Sequence, residues 1–282
     1  MNVQAQALKA ERLRKMHGGA KMLVLPNAWD VASARIVEEL GFPAIATTSA
    51  GIAATLGYPD GQRISRDEML GVVARIAKAV HLPVTADVEA GYGMTVEDLT
   101  QTVKAVVAAG AVGINLEDVT GSDESSQVDL ALQQEKIRAI RKATESLGVP
   151  LVLNARTDIY LMPIGPAETR FERTVERLRA YREAGADCLF VPGLKDAETI
   201  AKLVRMVNGP LNILLAAGAP TLRELERMGV ARASAGSGIM RATLGLTRRI
   251  AKEMMEAGTY TAMLDGAVPF GEMSEMLARE KP

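Results

Sequence analysis

Val84-Thr85-Ala86-Asp87-Val88-Glu89 is followed by helical spacing at 96–109, then by Ala108-Ala109-Gly110-Ala111 and by Val112-Gly113-Ile114-Asn115-Leu116-Glu117. A short β-forming run, an amphipathic helix, a glycine and a second β-run make one βα unit. The glycine takes the left-handed conformation that ends a helix before the chain turns into the next strand. Outward from this stretch the unit recurs. Strands are predicted at 22–27, 44–49, 84–89, 112–117, 151–156, 188–191, 211–215 and 230–235. Helices are predicted at 29–40, 66–80, 96–109, 130–147, 167–184, 196–207, 221–228 and 239–257. Strands joined by helical crossovers run parallel, and eight in a row close most naturally into a (β/α)8 TIM barrel of the α/β class. An open doubly wound sheet is the alternative. The expectation is one barrel domain over 1–282, with an N-terminal helix near 4–17 in segment 1–20 and a C-terminal tail over 258–282.

Composition narrows the function classes. With 48% hydrophobic and 24% charged residues, the chain has the make-up of an ordinary globular protein. A net charge of -1 and the lack of any long Lys or Arg block argue against nucleic acid or an anionic membrane as partner. No apolar stretch is long enough for a membrane span. Cys188 is the single cysteine, which excludes a disulfide framework or a Cys-based zinc site within one chain and fits a reducing, cytoplasmic location.

In a parallel barrel the chemistry sits at the C-terminal ends of the strands. There the predicted strands carry polar pairs two positions apart, so that each pair shares one face: Asp87 with Glu89, Asn115 with Glu117, and Asn154 with Arg156. One reading is a set of barrel-mouth salt bridges in which Arg156 neutralises the acids. A single guanidinium cannot compensate Asp87, Glu89 and Glu117 together, however, and a divalent cation removes the repulsion. Oxygen-only ligands point to Mg2+ or Mn2+. The only histidines, His17 and His81, lie in the N-terminal helix and before the third strand, away from this end. Lys195 reads as a solvated loop residue, and 236–238 reads as a turn. The 47–51 segment reads as a loop whose small residues cradle a carboxylate or phosphonate oxygen.

Four motifs in order resemble the isocitrate lyase/phosphoenolpyruvate mutase superfamily. They are Thr48-Ser49-Ala50-Gly51 with Gly57-Tyr58-Pro59-Asp60-Gly61, Ala86-Asp87-Val88-Glu89-Ala90-Gly91-Tyr92-Gly93, Leu116-Glu117-Asp118, and Asn154-Ala155-Arg156-Thr157-Asp158. The resemblance implies a barrel that uses Mg2+, with Mn2+ as substitute, on a small 2-oxo or 2-hydroxy carboxylic acid through an enolate. By position it implies Asp87 as the direct metal ligand, with Asp60, Glu89 and Glu117 holding metal-bound waters. Arg156 and Asn154 then meet the substrate, and Thr48, Ser49 and Ala50 form its oxyanion cradle. Asp60, Glu89 and Arg156 are the expected catalytic residues.

Two departures refine what the resemblance implies. Glu89 stands where the family usually has Asp. Loop 119–128 holds no Cys, Lys or His, whereas isocitrate-lyase-like members place a thiol-bearing Lys-Lys/Arg-Cys-Gly-His motif there. The expected reaction is therefore C–C bond cleavage by a lyase or hydrolase of another specificity. The alternatives are a C–P mutase or phosphonopyruvate hydrolase, and a non-catalytic 2-oxo acid binding protein. The family also implies a homo-oligomer, a dimer or tetramer, in which the C-terminal helix crosses between subunits. Phe270, Met273, Met276 and Leu277 supply an apolar stripe for that contact.

Overall fold

The structure is a computed structural model that describes residues 2–121 and 126–279. Helix α1 (Val3–Met16) precedes β1 (Leu23–Leu25) and β2 (Asn27–Ala28). Then come α2 (Val31–Glu39), β3 (Ile45–Thr47), α3 (Ser49–Thr55), α4 (Arg66–Ala79), β4 (Val84–Asp87) and α5 (Val96–Ala108). They are followed by β5 (Gly113–Leu116), α6 (Leu130–Leu147), β6 (Val152–Arg156), α7 (Arg170–Ala184) and β7 (Cys188–Val191). The chain continues through α8 (Ala197–Met206), β8 (Leu211–Leu214), α9 (Leu222–Arg227), β9 (Arg232–Ser234) and α10 (Gly238–Glu256). It ends with α11 (Thr261–Leu264) and α12 (Phe270–Ala278).

All neighbouring strands are parallel, in the order β1-β9-β8-β7-β6-β5-β4-β3-β2. The two ends of this sheet, β1 and β2, are separated only by Pro26. The first barrel strand is thus one segment broken where proline lacks an N–H for the ladder. Its first half pairs with the last strand, its second half pairs with β3, and the ring closes through it. The predicted unbroken strand at 22–27 is corrected in that detail. Closure, which periodicity could not show, follows from the pairing.

The helix starts are written in local chemistry. Asp30, Ser65, Thr95 and Thr221 each cap a helix while the residue three positions on bonds back to the cap, a reciprocal arrangement that satisfies two otherwise orphan donors. Gly41, Gly110 and Gly185 have φ of 79°, 89° and 116°, the left-handed turn expected between helix and strand. Helix α1 closes the N-terminal end of the barrel. Gln6 donates from Nε2 to the carbonyls of Val107 and Ala111, both at 2.9 Å, and Arg14 pairs with Asp187 at 3.0 Å. Burial opposes ionisation of Asp187, but Arg141 and Arg14 outweigh it and hold the carboxyl below its usual range. His17 also lies at this end, with Nδ1 against the Leu13 carbonyl.

The last barrel helix behaves differently from the others. Of the nineteen residues of α10 only Met240 is buried, and Leu244, Met254 and Met255 are exposed. The tail returns to α2, where Arg279 pairs with Glu39 at 3.1 Å, its carbonyl accepts from Arg35, and Met276 is buried. Phe270 faces solvent at 80% exposure, so the predicted apolar stripe is only partly covered by its own chain. Among the described residues no helix is long and apolar enough to cross a membrane.

Cys188 opens β7 and is fully buried, which pushes its thiol up to about 12. Such a thiol is a poor nucleophile at neutral pH. Ellman's reagent is therefore expected to leave the native protein unlabelled and to titrate one thiol only after unfolding. Rapid stoichiometric labelling of the folded protein would show that Cys188 reaches solvent or the barrel mouth.

Candidate active site

Asp87 is the last residue of β4, and its carboxylate is held on two sides. Oδ2 accepts from the Ser49 amide at 3.0 Å and from Ser49 Oγ at 2.7 Å, while Oδ1 accepts from Asn115 Nδ2 at 2.9 Å. Asn115 Oδ1 in turn accepts from Asn154 Nδ2 at 2.7 Å. Register explains the relay, since Asp87, Asn115 and Asn154 are Cα partners across β4, β5 and β6. Three strands brought side by side fix one carboxylate.

That carboxylate opens onto a cavity of about 470 Å³ at the C-terminal end of the barrel. Of the residues singled out in the sequence, Thr48, Ser49, Ala50, Asp60, Asp87, Asn115 and Arg156 line it. Asn154 does not. It is fully buried beneath the cavity, so the predicted substrate contact is corrected to a support for Asn115. The 47–51 segment is not a loop either: Thr48 caps α3 by accepting from the Gly51 amide, and Ser49 and Ala50 form that helix's first turn. The predicted turn is present at Gly236 and Ser237 and leads straight into α10 at Gly238.

Glu89 and Glu117 stand back from the cavity. The strand ends at Asp87, and Glu89 adopts φ of 50° rather than continuing the alternation. Its carboxylate accepts from the Gln62 amide and, at 3.1 Å, from the Tyr92 hydroxyl. Left-handed backbone in a non-glycine residue costs about 1–3 kcal/mol and is found where the surroundings enforce it. Glu117 meets Arg156 Nη1 at 2.6 Å, and Arg156 Nε donates to Asp158 at 2.7 Å with Phe190 beneath the guanidinium. The sequence reading missed Asp158 as a partner. Two positions after Arg156, it had the spacing but lay beyond the expected strand.

The acids exceed their cationic partners. Burial first, then Asp87 and Asp60, push Glu89 up to about 7. Burial and then Asp87 also raise Asp60. Glu117 is raised by burial and by Asp158, Asp87 and Glu89, against the opposing pull of Arg156. Because its folded value exceeds the ordinary 4.5, Glu89 contributes stability that is present below that pH and lost as pH rises through about 7. A bound cation would offset this loss. Among the described residues, no three acidic, histidine or cysteine side chains converge to hold an ion directly. Glu89 and Glu117 could therefore reach an ion at Asp87 only through water, which is the arrangement the resemblance implies. The donor set fits an ion held by Asp87 and otherwise by waters, the manner in which Mg2+ is bound when it keeps much of its hydration.

Asp118 is the site residue that the sequence hid most completely. It is fully buried and accepts from Thr157 Oγ1, the Asp158 amide, Arg177 and Tyr181 at 2.7–3.0 Å, locking the end of β6 to α7. Strand alternation from Asn115 and Glu117 places Asp118 on the outer, helix-facing side, but its partners lie 39 to 63 residues away. Of loop 119–128, residues 122–125 lie outside the described residues.

A family model described as phosphoenolpyruvate phosphomutase matches residues 13–255. An uncharacterized protein of Mycobacterium tuberculosis is 34% identical over 262 residues, covering 93% of this chain and 94% of that protein. A 2,3-dimethylmalate lyase of Eubacterium barkeri is 26% identical over 281 residues, covering 96% and 95%. Among solved structures, a candidate lyase/mutase from Burkholderia cenocepacia has a TM-score of 0.91 at 38% identity over 98% of both chains. A phosphonopyruvate hydrolase solved with oxalate and Mg2+ has a TM-score of 0.82 at 25% identity, covering 95% and 94%. With the family model spanning most of the barrel and a relative above 30% identity along nearly its whole length, the chain belongs to the isocitrate lyase/phosphoenolpyruvate mutase superfamily.

Proposed function

We propose that this protein is a Mg2+-dependent enzyme that cleaves a C–C bond in a small 2-oxo or 2-hydroxy acid, as a lyase or hydrolase acting through an enolate. One observation carries the reading: the Asp87 carboxylate, fixed by Ser49 and Asn115, shares a cavity with Arg156 and Asp60. Asp87 would hold the cation, with Asp60, Glu89 and Glu117 reaching it through water. When bound, the cation supplies Lewis-acid polarisation and neutralises charge developing on the oxo-acid end. A relative bearing the name 2,3-dimethylmalate lyase and a structural neighbour complexed with oxalate and Mg2+ support the reading.

The chain's own residues then divide the work. Arg156 offers a planar cation to the substrate carboxylate while Glu117 and Asp158 hold it in place. Phe190, buried on the cavity wall, excludes water beneath Arg156. The carboxylates lining the cavity are Asp60 and Asp87, and Asp87 is committed to hydrogen bonds from Ser49 and Asn115. Asp60, whose carboxyl is raised by burial and by Asp87, is therefore assigned to accept and return the proton.

A thermal-shift and turnover screen of 2-oxo, 2-hydroxy and phosphonate acids with and without Mg2+ tests this reading. Mg2+-dependent stabilisation with fragmentation of a 2-oxo or 2-hydroxy acid is expected. Phosphate release from phosphonopyruvate would move the reading to C–P chemistry, and tight binding without turnover would make the protein a binder.

The exposed apolar residues of α10 lead us to assign them to the barrel of a second copy, in a dimer or tetramer. Light scattering is expected to give a multiple of the 30.1 kDa chain mass at micromolar concentration, and a monomer there would remove the assignment.

A further inference from the structure

The segment between α3 and α4 carries Asp60 to the cavity, yet few contacts tie it down. Gly57 and Gly61, on either side of Asp60, have φ of 84° and 94°, with open space where a Cβ would stand. Among the described residues, 59–64 form no backbone–backbone hydrogen bond. Pro59, Asp60, Gly61 and Arg63 are exposed, and Ile64 enters the core at the far end. Gln62 is the exception. Its amide donates to the Glu89 carboxylate, and its Oε1 accepts from the Tyr92 amide at 2.7 Å.

Both contacts land on firmly held structure. The Glu89 carbonyl accepts from the Glu117 amide at 3.0 Å, and the Gly91 carbonyl accepts from Thr102 Oγ1 at 2.7 Å. The Tyr92 hydroxyl closes a ring by donating to Glu89 Oε1 at 3.1 Å. Gln62, Glu89 and Tyr92 have φ of 57°, 50° and 56°, and are three of the four non-glycine residues with positive φ among those described. Such backbone costs free energy in a residue with a side chain and persists where neighbouring contacts enforce it. A glycine at position 62 would be spared that cost, so what the glutamine side chain adds is its bond to Tyr92.

We infer that Gln62 is a positioning residue: docked on Glu89 and Tyr92, it holds the loop between Gly57 and Gly61 so that Asp60 faces Asp87 across the cavity. Asp60 and Asp87 both line that cavity, and Gln62 is not part of its wall. The effect of Gln62 therefore passes through Asp60, two residues away. That Asp60 then meets a metal-bound water and takes a proton rests on the reading given above.

Two variants of the full chain separate the bond from the backbone. Gln62→Met keeps the side-chain length and lacks the acceptor, while Gln62→Gly also relieves the positive φ. In EDTA, hydrogen exchange at the amide of position 62 is expected to quicken at least about tenfold in Gln62→Met, with the amides of β4 and α5 unchanged. In calorimetry, Asp60→Asn and both Gln62 variants are each expected to weaken Mn2+ binding about tenfold, the size set by loss of an outer partner of a metal. Gln62→Gly is expected to keep the parent's urea midpoint, relief of the backbone offsetting the lost bond. In an Asp60→Asn background, either Gln62 change is expected to alter Mn2+ affinity less than about twofold, because the carboxylate it positions is already gone. Mn2+ affinity that falls with Asp60→Asn and with neither Gln62 variant overturns the inference. So does unchanged exchange in Gln62→Met, or a Mn2+ loss that persists in full without the Asp60 carboxylate. Faster exchange in Gln62→Met, in a protein whose Mn2+ binding ignores Asp60→Asn, would keep Gln62 as the holder of the loop and remove the metal reading of Asp60.

Discussion

Asp87→Asn and Asp87→Ala are expected to weaken Mg2+ or Mn2+ binding by more than about a hundredfold, beyond what the loss of an outer-shell partner costs. The two variants separate charge from shape. Asparagine can still accept from the Ser49 amide and hydroxyl, which bond Asp87 Oδ2 in the parent. Alanine leaves those donors without their partner, at a cost of about 1–3 kcal/mol. In the metal-free protein the Asn variant should lose little stability: its amide faces the Asn115 Nδ2 donor and forfeits that bond, but Asp87 is among the charges that raise Asp60, Glu89 and Glu117, and its removal offsets the loss. Stability retained without metal and metal stabilisation lost is the signature of a residue kept for binding. Isothermal calorimetry with Mn2+, beside urea unfolding in EDTA, reads both quantities. Unchanged metal affinity in the Asn variant would remove Asp87 from the centre of the site.

The second large effect is expected at Arg156. Its guanidinium holds Glu117 and Asp158 at 2.6 and 2.7 Å, so Arg156→Ala strands two mostly buried carboxylates and should cost about 3–5 kcal/mol. Arg156→Lys keeps the charge but not the fork, since one ammonium cannot reproduce two fixed N–H directions. The Lys variant is expected to fold, to bind Mn2+ within about threefold of the parent, and to lose at least tenfold in affinity for a 2-oxo acid. The comparison of ligand affinity with stability is decisive here. A Lys variant that loses stability yet binds 2-oxo acids like the parent would make Arg156 a structural clamp on Glu117 and Asp158 and nothing more.

The βα rhythm, the polar ends of three central strands and the absence of a thiol in the 119–128 loop are all local properties, and the sequence by itself determined them. Helical spacing, two-residue alternation and left-handed glycines depend on neighbours within one element, so they survive without the fold. Asp87, Asn115 and Arg156 were legible for that reason. Each sits inside a strand, where alternation holds.

Only the tertiary structure decided what happens where strands stop or distant segments meet. Glu89 leaves the alternation because β4 ends at Asp87 and the chain turns through a positive φ, taking the carboxylate to Gln62 and Tyr92. Asn154 and Asn115 face the same way, but depth in the barrel, which sequence spacing does not encode, puts one beneath the cavity and the other on its wall. Closure through Pro26 and the Asp118 cluster are pairings across tens to hundreds of residues. Whether a buried charge is compensated depends on which side chains the completed ring brings within hydrogen-bond reach, and that is known only once the ring has closed.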